Sequence, residues 1–275
     1  MNKKRLSQGL LNALFIALVA VNLFPILWML SSSLKSPNEL FASTAYLIPK
    51  HFSLENYQTV LRDYAFGTWL KNSVVSTLGI FALQIAVSLM AAFAVSFFKT
   101  RLTKFGFYFL LITMVIPFQV TMIPNYIVIS RIQLLNTMAG VVLPYAANAA
   151  TFFYLYQNVR GIPQSYYEVA KLEGARPLWI FWHVVIGLSV GALSAISILT
   201  VIESWNLYFW PMLVLTKAET RTLTVAFKQF LDFEMGNRWG PFMATATLAS
   251  LPTIICFLFF QRGIINAFVS AGIKG

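Results

Sequence analysis

The side chains that ordinarily do chemistry are few and scattered in this sequence. Its one cysteine, Cys256, supports no disulfide framework, and the two histidines, His51 and His183, lie far apart, so no zinc-like Cys/His spacing exists. No G-x-x-x-x-G-K-[ST] run offers backbone amides to a nucleotide's phosphates, and no cluster of His, Asp or Glu sits within the long apolar runs. Neither metal chemistry nor nucleotide hydrolysis is predicted for this chain, and no catalytic residue is assigned. The residues whose spacing does carry meaning lie in one polar loop, residues 160–177, where Pro163, Ser165, Glu168, Gly174 and Pro177 punctuate the chain. Pro163 at a helix start, Ser165 as N-cap and Glu168 three residues on predict a short capped helix. Gly174 suits the left-handed turn after its last residue, and Pro177 forces a new direction. Such a stub, carrying Tyr167, Val169, Ala170 and Leu172, offers small and apolar side chains to a partner's groove. An amphipathic connector resting on a membrane surface has the same composition. Both readings stand on the residues alone.

The elements around that loop are set by hydropathy. Of 275 residues 58% are hydrophobic and only 11% charged, with a mean hydropathy of +0.71. A soluble domain carries roughly a quarter charged residues to wet its surface, so this surface is predicted to face lipid. Six windows lack Lys, Arg, Asp and Glu: 6–34, 72–98, 105–130, 132–159, 177–202 and 239–261. Each exceeds the ~20 residues a helix needs to cross a hydrocarbon core. The expectation is an all-α, polytopic membrane protein in one domain, 1–275, with spans near 10–31, 70–98, 105–127, 135–158, 178–202 and 241–262. The apolar stretch after Lys3, Lys4 and Arg5 is longer than a signal-peptide core and is read as an uncleaved first span.

Charge orients the bundle. Connections 1–5, 99–104, 160–176 and the tail after 261 hold 11 of the 20 basic residues but two of the nine acids, Glu168 and Glu173. The positive-inside rule places that side, with both termini, in the cytoplasm. The net charge of +11 is spread in short clusters beside apolar runs rather than in a basic arm, which argues against nucleic acid. Inside the windows the polar candidates are Gln84, Gln119, Asn125, Asn148 and Tyr145, with Tyr154 and Tyr156. Groups of this kind in a membrane either bond helix to helix or line a cavity. Glu203 marks the outer end of the fifth span, where it either lines a gate or is solvated.

Glu168-Val-Ala170, three residues, Gly174, nine residues and then Val184-Val185-Ile186-Gly187 resembles the EAA loop of ABC importer permeases. The family form is E-A-A, three residues, G, nine residues, I-x-L-P. This chain departs from it at Val169 and at Ile186-Gly187, and the second change removes a proline bend from the fifth span. Ser53-Leu-Glu-Asn-Tyr57, Asn72-Ser73, Trp205-Asn-Leu-Tyr-Phe-Trp-Pro211 and Ala271-Gly-Ile-Lys-Gly275 extend the resemblance to the carbohydrate-uptake group, most similar to its maltose/glycerol-3-phosphate second permease.

The resemblance implies a type I (MetI-like) importer permease of the inner membrane, paired with a second permease and a dimer of ATPase subunits. A solute-binding protein on the outer side would deliver a sugar or sugar-like solute. ATP and Mg would be bound by the ATPase, with no cofactor in this chain. Coupling to the ATPase would fall to Tyr167, Glu168, Val169, Ala170, Lys171, Leu172 and Gly174. The amide and aromatic groups at Gln84, Gln119, Asn125, Asn148 and Tyr145 are candidates for the substrate path. The rival is a subunit of an ion-coupled secondary transporter, which calls for ionisable residues at mid-depth and repeated broken helices. The windows hold no acids there.

Overall fold

The computed structural model describes residues 3–40, 46–231 and 238–272. Among the described residues the backbone is helical throughout, joined by turns, with no strand. That follows from solvent: in hydrocarbon a helix satisfies its own backbone donors and acceptors. Three helices are long and apolar enough to cross a membrane unaided: Gln8–Ser33, Phe66–Phe97 and Trp239–Phe259. Proline at position 25 or 252 does not interrupt the first or the last of these.

The other three expected spans are each two helices meeting at an angle. Arg101–Thr113 and Phe118–Arg131 meet at 109°, Met138–Tyr145 and Ala149–Arg160 at 50°, and Pro177–Leu188 and Val190–Trp205 at 79°. Counting each pair as one span brings the total to six. The first break has a local cause. Pro117, extended at φ −60° and ψ 139°, disfavours helical backbone at Ile116 and opens the next helix at Phe118. At the second, Asn148 is extended and its Oδ1 accepts from the Thr151 amide at 2.9 Å, an N-cap that restarts the chain as Ala149–Arg160. The third bend arises without proline. Wide π turns over Phe181–Val185 precede it, and the Ser189 amide is shared between the carbonyls of Val185 and Ile186. Ser189 leaves helical backbone at φ −99° and ψ 4°, and its carbonyl starts the next helix by accepting from Leu193 at 2.8 Å. A Cβ on Gly187 would meet open space, so this glycine is not what makes room for the turn.

The chain divides into two compact units, Met1–Gly67 with Ala226–Pro252, and Thr68–Val225 with Thr253–Gly275. In the first unit the expected polar connection carries two short helices, Pro37–Leu40 and Glu55–Asp63. The buried Asn56 amide donates to the carbonyls of Ser33 (3.0 Å) and Lys35 (2.7 Å), and the Tyr57 hydroxyl bonds that of Ser33 at 2.7 Å. The Ser53–Tyr57 motif thus ties the end of the first long helix. Most of that helix, from Leu10 to Leu30, is exposed apolar surface.

In the second unit two apolar clusters are stacked along Phe66–Phe97. One gathers Ile80, Ile129, Val141 and Trp210; the other gathers Leu89, Phe93, Phe152, Val159 and Phe181. The Trp210 indole donates to the Gly140 carbonyl at 3.2 Å. Asn136, at φ 60°, accepts on Oδ1 from the amides of Thr216 (2.7 Å) and Lys217 (2.9 Å), pinning two loops together. The Asn72 amide donates to Glu219 and Arg221, and the Ser73 hydroxyl accepts from the Leu223 amide. The short motifs singled out in the sequence are therefore loop staples. The Ala271–Gly275 motif runs beyond residue 272 and lies outside the described residues, as do Lys274 and the side chains of Lys3, Lys4, Arg5 and Arg262.

Candidate functional site

The loop 160–177 folds into a nine-residue helix, Gln164–Leu172. Its start differs from the sequence expectation. Pro163, not Ser165, occupies the N-cap, extended at φ −55° and ψ 135°, with no side-chain cap, and its carbonyl accepts from the Tyr166 amide at 3.1 Å. Proline holds φ near this value, so the helix begins at Gln164, two residues before a Ser165 cap would start it, and Ser165 lies inside the first turn. Glu168 is then too far along to close a capping box, and it is exposed.

The far end matches expectation. Gly174 adopts φ +77°, its amide donates to the Lys171 carbonyl at 3.0 Å, and the Ala175 amide donates to Ala170 at 2.9 Å. These are the two bonds of a Schellman turn, which closes the helix on its own last carbonyls.

The helix has two unlike faces. Tyr167 and Ala170 point inward and join the cluster built on Phe93, Phe152 and Val159. The Tyr167 hydroxyl donates to the Val159 carbonyl at 3.3 Å, and its ring meets Phe97 edge-on at 5.8 Å. Burial pushes the Tyr167 phenol above its ordinary range, which keeps it a neutral donor. Lys171 lies over the Phe97 ring at 4.4 Å, a cation–π contact. Helix and bundle are thereby one packed body. On the other face Tyr166, Val169 and Leu172 are exposed at helical spacing, Leu172 at 86%. Beside them runs a groove of about 760 Å³ lined by Tyr166, Val169, Gly174, Arg176 and Trp179.

Of the seven coupling residues expected from sequence, Glu168, Val169, Lys171, Leu172 and Gly174 are exposed, while Tyr167 and Ala170 face the chain's own core. The sequence reading passed over Tyr166 and Trp179. The signal for Tyr166 was available in its three-residue spacing from Val169 and Leu172.

Of the path candidates, Gln84 and Asn148 meet at one residue, Thr151. Gln84 is buried and donates to the Thr151 hydroxyl at 2.7 Å, linking Phe66–Phe97 to Ala149–Arg160. Asn148 caps the latter helix. Tyr145 is half-buried and stacks on Phe118 at 4.8 Å. Gln119 is exposed and Asn125 half-buried on Phe118–Arg131, and Glu203 is exposed. Gln84 thus holds two helices together, and Asn148 fixes the start of one of them. Among the described residues no group of three or more His, Cys, Asp or Glu side chains is placed to hold a metal ion.

Residues 84–268 match the family model described as "Binding-protein-dependent transport system inner membrane component". The arabinooligosaccharides transport system permease protein AraQ of Halalkalibacterium halodurans is 30% identical over 264 residues, covering 95% of this chain and 94% of that protein. The sn-glycerol-3-phosphate transport system permease protein UgpE of Escherichia coli O1:K1 is 30% identical over 260 residues, 92% of each. A chain from the crystal structure of a bacterial ABC transporter involved in import of the acidic polysaccharide alginate shares the fold. Its TM-score is 0.84 at 24% identity, over 95% of this chain and 98% of that one.

Proposed function

The chain belongs to the family of binding-protein-dependent transport system inner membrane components, and from that premise we propose that it is one of two permeases in an ATP-driven importer of a sugar or sugar-like solute. The observation that carries this reading is the two-faced helix Gln164–Leu172. Its inner face is fused to the bundle through Tyr167 and Ala170, and its outer face leaves Tyr166, Val169 and Leu172 open beside a groove. A lever needs both properties: a rigid attachment and a surface for the motor.

In this reading a dimeric ATPase holds ATP and Mg and seats the helix in a cleft. Closure of that dimer on ATP displaces the helix, and the packed cluster of Phe93, Phe152 and Val159 passes the displacement to the spans. Burying the Val169 and Leu172 side chains on docking contributes roughly 1.5–3 kcal/mol each at full burial, while the Gly174 turn holds them in place. A second permease completes the translocation path, and a solute-binding protein on the outer side delivers the cargo. In this reading the helix lies on the cytoplasmic side, with both termini, which the distribution of basic residues supports. The relatives' names, arabinooligosaccharides and sn-glycerol-3-phosphate, support a sugar-like solute.

The test is reconstitution. The chain is placed in proteoliposomes together with its second permease, ATPase and solute-binding protein, and uptake of arabino-oligosaccharides and glycerol 3-phosphate is followed. Uptake that requires ATP and survives dissipation of ion gradients is expected. Uptake that ignores ATP and collapses with the gradients would establish the ion-coupled alternative instead.

A further inference from the structure

A second cavity, of about 600 Å³, opens at the start of helix Gln164–Leu172, with Gln164 and Tyr167 in its lining. It is built where the end of Phe66–Phe97, the start of Arg101–Thr113 and the end of Ala149–Arg160 meet. Three cations line it, Lys99, Lys104 and Arg160, and no acid does. Hydroxyls of Ser96, Thr100, Thr103, Tyr108 and Tyr156 share the lining with Phe107 and Val159. The Ser96 hydroxyl is buried with no hydrogen-bond partner among the described residues. A buried hydroxyl without a partner costs about 1–3 kcal/mol, so such a group calls for a ligand or water.

Each feature selects the same chemistry. Three positive charges with no counter-ion among the described residues ask for an anion, and the Tyr108 and Tyr156 hydroxyls can add hydrogen bonds to its oxygens, those of Thr100 and Thr103 being engaged in a helix cap. The charged rim sits where an apolar span ends, and the cavity wall runs from the cations to Phe107 and the exposed ring of Tyr108, on the apolar helix Arg101–Thr113. A free anion makes no use of that wall; an anion carried on an acyl chain does. We propose that this cavity binds the phosphate headgroup of an anionic phospholipid, with Lys99, Lys104 and Arg160 on the phosphate and the acyl chains leaving past Phe107. Basic pockets between spans recognise lipid headgroups in this way. Because Gln164 and Tyr167 also line the cavity, the bound lipid touches the base of the lever helix. The inference does not depend on which solute is carried or on ATP coupling.

The full-length chain, purified in the assembly it forms, is delipidated and exchanged with phosphatidylglycerol or phosphatidylcholine, and retained lipid is counted by native mass spectrometry. Phosphatidylglycerol is expected to be retained over phosphatidylcholine. The double variant Lys99→Gln/Lys104→Gln is expected to weaken retention roughly twenty-five-fold, at about fivefold per basic residue. All three cations are exposed at the cavity rim, so neutralising them leaves the packed core alone. Arg101→Gln removes a neighbouring charge that does not line the cavity and should retain lipid as the parent does. Equal retention of the two lipids, an equal loss in Arg101→Gln, or displacement of phosphatidylglycerol by millimolar inorganic phosphate would overturn the proposal. The last result would identify free phosphate as the ligand.

Discussion

Gly174 offers the sharpest perturbation of the lever. Its φ of +77° lies in the left-handed region, and a Cβ there would meet no atom within 4 Å. Space is therefore not what reserves the position for glycine; backbone conformation is. An L-residue with a Cβ costs about 1–2 kcal/mol in this region, asparagine less, and a β-branched residue more. An energy of about 1–2 kcal/mol shifts the closed and open populations of the turn by a factor of about 5–30. Opening it breaks the bonds from Gly174 to Lys171 and from Ala175 to Ala170, and frees the last turn that carries Leu172. The helix stays anchored through Tyr167, so assembly should survive while the stroke is lost. The readout is ATP hydrolysed per solute imported by the reconstituted complex, with co-purification of the ATPase as control. The expected order of coupling is Gly, then Gly174→Asn, Gly174→Ala and Gly174→Val. If coupling instead fell with side-chain volume, so that Gly174→Ala outperformed Gly174→Asn, the conformational argument would be refuted.

Three further expectations follow from the same structure. A Cβ at Gly140 would lie 2.2 Å from the Leu134 carbonyl oxygen, so Gly140→Ala should destabilise the purified protein by about 1–3 kcal/mol in thermal unfolding. Gln84→Leu and Thr151→Val each strand one partner of a buried hydrogen bond and should each cost about 0.6–1.7 kcal/mol, with the double variant less costly than their sum. Unchanged solute affinity in that series would mark Gln84 as structural, whereas a selective loss of affinity would return it to the substrate path. A reporter fused after Lys274 should be active only in the cytoplasm, and activity on the other side would invert the proposed orientation.

What could be read from sequence was the set of positions where hydrocarbon forbids charge. Window 72–98 lies almost wholly within Phe66–Phe97, and Gly174 stood out because left-handed backbone favours glycine. The bends were not legible, because proline is a poor guide to them. Pro25, Pro124 and Pro252 lie within continuous helices, Pro117 stands at a break, and the bend at Ser189 has no proline at all. That last turn depends on π geometry over Phe181–Val185, set by packing of Phe181 and Val185 into the core rather than by local propensity. The two faces of Gln164–Leu172 were similarly hidden. Tyr167 and Val169 are both apolar enough to face either way, and contacts with Phe97, distant in sequence, and with the Val159 carbonyl of the preceding helix decide that Tyr167 turns inward.

Whether the outward face of this helix grips the ATPase is best measured by cross-linking. In a Cys256→Ser background, single cysteines are introduced as Val169→Cys, Leu172→Cys and Ala170→Cys, and the assembled complex is treated with a short thiol cross-linker with and without nucleotide. Positions 169 and 172 should link to the ATPase subunit, while the buried position 170 should not. A complex in which neither outward position links in any nucleotide state, or in which position 170 links as readily, would contradict the account.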